Sequence, residues 1–169
     1  MKHNIVRINK IVLNNFKNVK KGIVEMPAYS GKELFSEKAD VLGLYGQNGS
    51  GKTSVVEALR FVKTLLSGEK LPADAKEYIA QGEEECEIDV SFSVAEEVQK
   101  ETVNYSVALK KDADGFVISH ERMTVVPRKE SIRAVESTLI DYQYDNEDVT
   151  FAPEYRYKKL VANDKKVRV

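Results

Sequence analysis

The 169-residue sequence predicts an α/β fold, in which a strand, a glycine-rich loop and a helix lie beside a lobe of antiparallel strands. Three observations predict it. Residues 40–45 form a short, continuous apolar run that leads into the glycine-rich segment 46–53. Apolar residues then recur at helical spacing between residues 52 and 67. From residue 86 onward, apolar and polar residues alternate with the period of two that is typical of half-buried strands.

The composition excludes several classes of protein, among them strongly basic nucleic-acid-binding proteins and proteins held by internal disulfides. The 26 Lys and Arg residues are balanced by 27 Asp and Glu residues, so the net charge is -1 and the whole molecule is no electrostatic match for nucleic acid. Cys86 is the single cysteine, which excludes an internal disulfide and is typical of a reducing compartment. The first residues lack the apolar run of a secretion signal, and no segment is apolar enough to span a membrane. We therefore expect a cytoplasmic protein that makes no membrane contact.

The first elements are predicted to be strands. Residues 5–13 are rich in β-branched and apolar side chains with polar ones between them, and residues 22–27 form a similar run that ends at Pro27. Residues 28–40 are predicted to be a polar loop. The run 40–45 does not alternate, and this pattern is typical of a strand buried on both faces.

Helix and then a meander of strands are predicted after the glycine-rich loop. The helix is predicted at 52–67, Gly68 suits its C-terminal cap, and residues 70–81 predict a second, short helix. Strands are predicted at 86–93, 103–109, 116–126, 137–144, 149–151 and 155–161, with a turn at 112–115. We interpret residues 1–169 as a single domain.

The segment Gly46–Thr53 matches the phosphate-binding pattern G-x-x-x-x-G-K-S/T, known as the P-loop, with a predicted strand before it and a helix after it. Its glycines let backbone N–H groups turn toward clustered negative charge, and the helix N-terminus adds its own N–H groups and positive dipole end. Lys52 is expected to reach the β- and γ-phosphates of a nucleoside triphosphate, and the Thr53 hydroxyl to bind Mg²⁺. The residues predicted to bind the nucleotide are Gly46, Gln47, Asn48, Gly49, Ser50, Gly51, Lys52, Thr53 and Ser54.

The P-loop and its neighbours resemble a known family. The loop is followed by Val55–Leu59, which contains Glu-Ala, and it is preceded by a strand that ends in Asn15-Phe16-Lys17. This pattern resembles the N-terminal lobe, lobe I, of ABC-type ATPase heads of the RecF, structural-maintenance-of-chromosomes and overcoming-lysogenization-defect group, among the AAA family of ATP-binding proteins. The resemblance implies binding of ATP and Mg²⁺ and a role in DNA repair or anti-phage defence. It also implies that Lys17 lies near the phosphates, whereas Phe16 is expected in the core.

Other parts that the resemblance requires are absent from the sequence. Residues 137–141 are the nearest approach to an apolar strand ending in Asp-Glu, but no second acid follows, and we interpret them as an ordinary strand. The serine-glycine signature is also absent, and Gln143 is the one candidate for a Q-loop. We therefore expect the N-terminal lobe of a larger ATPase, with little hydrolysis by this chain alone, and assign no catalytic residue. The expected partner is the C-terminal lobe of the same ATPase, or a second copy in a nucleotide-dependent dimer.

Several alternatives stay open. One is a nucleotide-gated dimerisation module without catalysis, and another is a small P-loop GTPase or kinase. Residues 112–115 fit the D-x-x-G of GTPases, although no guanine-reading Asn-Lys-x-Asp follows the P-loop, and metabolite kinases are richer in helix. A basic cluster near residue 169 suits either contact with DNA phosphates or, as we favour, the solvated face of an edge hairpin. It comprises Arg156, Lys158, Lys159, Lys165, Lys166 and Arg168.

Overall fold

The computed structural model describes residues 5–26, 41–72, 74–96, 99–113, 115–127, 135–144 and 149–151. These residues form one sheet, one α-helix and a short 3-10 helix. The elements in chain order are β1 (Ile5–Phe16), β2 (Val19–Glu25), α1 (Lys52–Leu66), the 3-10 helix (Ala75–Tyr78), β3 (Glu85–Glu96), β4 (Gln99–Asp112), β5 (Gly115–Pro127), β6 (Ser137–Gln143) and β7 (Val149–Phe151).

The strands of the sheet lie in the order β2-β1-β3-β4-β5-β6-β7, and every neighbouring pair is antiparallel. Strands β3 to β7 follow one another as a meander, so the antiparallel lobe predicted from the period of two is confirmed. Asp112 pairs with Gly115 where β4 returns as β5, at the predicted turn. Strand β2 begins earlier than predicted, because Phe16 already pairs with Val19 across a tight turn.

One face of the sheet carries the hydrophobic core. Leu13 lies opposite Ile88, and Ile88 lies opposite Val107, so alternate residues of three adjacent strands line the same face. Helix α1 covers this face, since its buried apolar residues belong to the same cluster. The buried core residues are Ile11, Leu13, Phe16, Ala58, Phe61, Val62, Ala75, Ile79, Cys86, Ile88, Val90, Tyr105, Val107 and Leu109.

Helix α1 matches the first predicted helix closely. Its C-terminal cap is Ser67, and Gly68 follows with a φ of 67°. The N–H of Gly68 donates to the carbonyl of Leu65 at 3.0 Å, and the N–H of Glu69 donates to the carbonyl of Thr64 at 3.0 Å. These bonds satisfy carbonyls that the helix leaves unpaired, so the predicted glycine cap is confirmed.

The second predicted helix, a short one within residues 70–81, is the 3-10 helix Ala75–Tyr78. Ile79 has an extended backbone, with φ −76° and ψ 127°, and it pairs with Phe16 in an isolated β-bridge. Both Ala75 and Ile79 are buried in the core. Because Ile79 continues the sheet at this bridge, the segment cannot continue as a helix.

The buried strand predicted at 40–45 is also wrong. Residues 41–47 pair with no strand, and the side chains of Val41 and Tyr45 are 92% and 95% exposed. A strand buried on both faces needs a neighbouring strand for its backbone N–H and C=O groups and a layer over each face. Among the described residues, the strands pair only with one another in one antiparallel sheet, and none pairs with this run.

Some predictions fall outside the described residues. They are the polar loop 28–40, the strand 155–161 and the basic cluster between Arg156 and Arg168. Residues 137–141 are described and lie in β6, between β5 and β7, as the ordinary strand that we expected. Within the part of the chain that the structure describes, no helix is both long and apolar enough to cross a membrane.

Candidate nucleotide-binding site

The P-loop has a backbone conformation that only glycine adopts readily. The φ angles of Gly46, Gly49 and Gly51 are 153°, 84° and 87°, where a side chain would meet its own backbone. Gly51 is also the N-cap of α1, so the loop runs directly into the helix. The N–H groups of the first helical turn, which have no partner within the helix, therefore adjoin the loop at the positive end of the helix dipole.

The Lys52 side chain folds back over the P-loop. Its ammonium donates to the carbonyl of Gly46 at 2.7 Å, to the carbonyl of Gln47 at 2.6 Å, and to the hydroxyl of Ser50 at 3.2 Å. All three acceptors are neutral oxygens, and the Lys52 side chain is half-buried. An ammonium held in this way can exchange these neutral acceptors for the oxygens of an anion, because opposite charges attract each other more strongly than a charge attracts a neutral dipole.

The two hydroxyl residues after Lys52 differ in their surroundings. Thr53 is exposed, so its hydroxyl is accessible to a metal ion that accompanies a phosphate. Ser54 is only 3% exposed, and its hydroxyl donates to the side-chain oxygen of Asn18 at 2.7 Å. Binding of nucleotide by these residues and by the loop stays a prediction.

The turn between β1 and β2 reaches the P-loop. Asn15 and Lys17 have positive φ angles of 50° and 54°, an uncommon conformation for residues with a side chain. Two backbone bonds hold the turn there: the N–H of Lys17 donates to the carbonyl of Tyr78 at 2.7 Å, and the N–H of Ala80 donates to the carbonyl of Asn15 at 2.8 Å. Asn18 then donates from its side-chain amide to the carbonyl of Gly49 in the P-loop.

Lys17 contacts α1 through its side chain. Its ammonium lies 2.6 Å from a carboxylate oxygen of Glu57 and 5.5 Å from the centre of the Tyr78 ring. The prediction that Lys17 binds phosphates stays a prediction, and Glu57 engages one of the three N–H donors of the Lys17 ammonium. The expectation for Phe16 is confirmed, because its side chain is 0% exposed and its ring stacks on Tyr78 with centroids 5.3 Å apart.

A concavity of about 290 Å³ opens between β2 and the P-loop. Val19 of β2 lines it together with Leu44 and Tyr45 of the apolar run before the loop, and the loop adds Ser50 and Lys52. An apolar space next to convergent phosphate donors suits a ligand that carries a flat ring on one end and negative charge on the other.

The face of the sheet opposite the core is polar. One row of paired residues crosses this face from β1 to β6, and it consists of Val12, Asp89, Ser106, Arg122 and Asp141. A second concavity of about 390 Å³ lies on this face. Burial raises the pKa of the Asp89 carboxyl, and the charge of Glu87 adds to the increase, while a hydrogen bond from Ser106 and the charge of His120 oppose it.

Gln143, the Q-loop candidate, lies at the end of β6, and the order of the sheet places three strands between β6 and β1.

Two features of the site were not predicted from the sequence. One is the contact of Asn18 with the P-loop, and the other is the contact between Glu57 and Lys17. Asn18 directly follows the Asn-Phe-Lys segment, so its position beside a familiar motif was the one available signal. The Lys17–Glu57 pair joins residues 40 positions apart, which no local pattern indicates. Among the described residues, no group of three or more His, Cys, Asp or Glu side chains could hold a metal ion.

The chain matches the model of a protein family over most of its length. Residues 41–164 match the family described as "AAA domain, putative AbiEii toxin, Type IV TA system". The matched region begins just before the P-loop and covers most of the chain. No curated protein matches the chain.

Proposed function

Since the chain belongs to this family of AAA domains, we propose that it binds ATP with Mg²⁺ through residues 46–54, as the P-loop lobe of an ABC-type ATPase. The family match supports nucleotide binding by a P-loop ATPase-like domain. One observation carries the finer proposal: a loop of positive-φ glycines leads into α1 while Lys52 lies across it.

The P-loop suits a triphosphate in its donor chemistry. Clustered negative charge needs several convergent donors, and the loop offers backbone N–H groups, a helix N-terminus and one ammonium. Lys52 exchanges the neutral carbonyls of Gly46 and Gln47 for phosphate oxygens, which adds the attraction between opposite charges to the hydrogen bonds. The apolar concavity beside the loop leaves room for the base of the nucleotide.

Magnesium fits this site only together with the nucleotide. The exposed Thr53 hydroxyl is the protein ligand that we propose, and Mg²⁺ commonly completes its shell with phosphate oxygens and water. Among the described residues there is no cluster of acidic, His or Cys side chains to hold the ion by itself. When bound, the ion would neutralise phosphate charge.

Hydrolysis by this chain alone is proposed to be slow. The carboxylate of Glu57 is held by Lys17 at 2.6 Å, and that of Asp141 lies 3.8 Å from His120. The sequence also lacks an apolar strand that ends in Asp-Glu, the pair of acids that supports the metal ion and activates water. We propose that the water-activating acid and the signature come from the C-terminal lobe of the same ATPase or from a second copy. We also propose that the chain is a member of the RecF, chromosome-maintenance and lysogenization-defect group. Its proposed role is in DNA repair or anti-phage defence.

A nucleotide-gated dimerisation module is the second candidate. The exposed apolar run of Val41, Leu42, Leu44 and Tyr45 favours it, because such a run is suited to burial against another element. A small GTPase is less well supported, since Asp112 and Gly115 close the β4–β5 hairpin instead of lying in a loop beside the nucleotide. A strand-rich sheet likewise argues against a metabolite kinase.

Calorimetric titration of the chain with Mg²⁺–ATP tests the proposal. We expect saturable binding to the unmodified chain and a loss of at least about tenfold in affinity for Lys52→Ala, because a hydrogen bond to a charged group contributes about 1.5–3 kcal/mol. Lys63→Ala is the matched control, since it removes an exposed lysine from the last turn of the same helix. Absence of binding, or equal affinity of the two variants, would contradict the proposal. Tighter binding of GTP would favour the GTPase alternative, and repeated turnovers at an ordinary ATPase rate would contradict slow hydrolysis.

A further inference from the structure

We propose that Asn18 is a positioning residue, which fixes the P-loop in the conformation that binds phosphate. This inference rests on the proposed function of the loop. The Asn18 side chain contacts two separate parts of the site: it donates to the carbonyl of Gly49 in the loop and accepts from the hydroxyl of Ser54 in the first turn of α1. It therefore joins the loop, the helix and the β1–β2 turn at one point.

The orientation of the Asn18 amide follows from its partners. The carbonyl of Gly49 can only accept a hydrogen bond, so the NH₂ group of Asn18 must face it. The amide oxygen then faces Ser54, whose hydroxyl supplies the proton at 2.7 Å. The reverse orientation would place two acceptors against each other at Gly49. A side chain with both a donor and an acceptor at this spacing is required, which alanine cannot supply.

The bond to Gly49 determines where the next N–H points. In a trans peptide, the C=O of one residue and the N–H of the following residue point in opposite directions. Because Asn18 holds the Gly49 carbonyl on the side of the β1–β2 turn, the N–H of Ser50 is directed away from that turn, and it donates to the carbonyl of Gln47 at 3.2 Å inside the loop. Asn18 thus fixes the orientation of the peptide between Gly49 and Ser50, and a phosphate oxygen would replace the carbonyl of Gln47 as the acceptor of the Ser50 N–H.

The β1–β2 turn is a firm support for this contact. Its backbone is bonded to Tyr78 and Ala80, and the Phe16 ring stacks on the ring of Tyr78. Lys17 adds a second link to α1 through Glu57 at 2.6 Å. Since the loop itself is exposed and rich in glycine, its conformation depends more on such an external contact than on its own backbone.

Asn18→Ala tests the inference, with Asn14→Ala as the matched control. Asn14 lies in the same strand region and donates its amide to Glu87 at 3.1 Å, on the polar face of the sheet, so its loss removes a comparable bond from a different place. Affinities for Mg²⁺–ATP and for Mg²⁺–tripolyphosphate are measured by calorimetry. We expect Asn18→Ala to weaken both ligands about tenfold and by the same factor, as the loss of two ordinary hydrogen bonds implies. Asn14→Ala should leave both affinities unchanged.

Two further measurements separate positioning from general destabilisation. In ¹H–¹⁵N spectra, tripolyphosphate should shift the Ser50 amide resonance of the unmodified chain, and this shift should be reduced in Asn18→Ala. Ser54→Ala removes one of the two contacts of Asn18, so it should weaken binding less than Asn18→Ala, and the double variant should bind no more weakly than Asn18→Ala alone.

The outcomes distinguish the two proposals. If the unmodified chain binds neither ATP nor tripolyphosphate, the nucleotide-binding proposal fails, and this inference fails with it. If the unmodified chain binds both ligands but Asn18→Ala binds as tightly as Asn14→Ala, the loop positions itself and the role of Asn18 is refuted while nucleotide binding stands. A reduced affinity for ATP with unchanged affinity for tripolyphosphate would also overturn the inference, because it would place Asn18 at the base instead of the phosphates.

Discussion

Gly51→Ala should destabilise the fold more than a substitution at any open glycine of the P-loop. Gly51 has a φ of 87°, and a Cβ at this position would lie 2.5 Å from Cγ2 of Val19. The left-handed backbone costs an L-residue about 1–2 kcal/mol. Overpacking against a β-branched side chain, whose rotation is restricted, adds about 1–3 kcal/mol. The free energy of unfolding, measured by urea denaturation followed by circular dichroism, should therefore fall by about 2–5 kcal/mol.

Gly49→Ala separates the two contributions to this cost. Gly49 has a φ of 84°, but no atom lies within 4 Å of an added Cβ, so only the backbone cost of about 1–2 kcal/mol applies. Both substitutions also restrict the unfolded chain to the same extent, which cancels in the comparison. In a Val19→Ala background the steric part should disappear, and Gly51→Ala should then cost no more than Gly49→Ala. Equal destabilisation by Gly51→Ala and Gly49→Ala in the unmodified background would refute the packing of Val19 on the loop.

Two predictions concern titratable groups away from the loop. Burial raises the pKa of the Cys86 thiol to about 12, while a hydrogen bond with the Leu109 backbone lowers it and the charge of Glu85 adds to the increase. A thiol reagent at pH 8 should therefore leave Cys86 unmodified in the folded chain and label it fully in urea. Rapid labelling of the folded chain would contradict the burial of Cys86. The carboxyl of Asp89 has its pKa raised above the ordinary value of 3.8, chiefly by burial, so the folded state is destabilised once pH exceeds that raised pKa. Asp89→Asn should accordingly increase the free energy of unfolding at pH 7, and the gain should vanish below pH 3.8; a loss of stability at pH 7 would show that the ionised carboxylate is favoured.

The sheet was predictable because its two faces differ. Cys86, Ile88 and Val90 are buried, whereas the residues between them belong to the polar face. The alternation of apolar and polar residues therefore predicts which face of the sheet packs against α1. The P-loop was predictable for a different reason. Its conformation requires positive φ angles at fixed positions, and glycine is the residue that adopts them without strain.

The apolar run at 40–45 shows where a pattern is insufficient. Continuous apolar character indicates that a segment favours burial, but it does not identify the element that buries it. Tyr45 is 95% exposed because no described strand or helix covers it. The contacts of Lys17 and Asn18 were likewise not predictable from the sequence, since Glu57 and Gly49 lie 40 and 31 residues further along the chain.

A crystal structure of the chain with Mg²⁺ and a non-hydrolysable ATP analogue tests the central claim most directly. We predict that the triphosphate lies in the loop of residues 46–53 and that the Lys52 ammonium has moved from the carbonyls of Gly46 and Gln47 to phosphate oxygens. We also predict that Thr53 binds the metal ion. A triphosphate bound elsewhere on the chain, or a Lys52 side chain that keeps its carbonyl contacts while nucleotide is bound, would contradict the account.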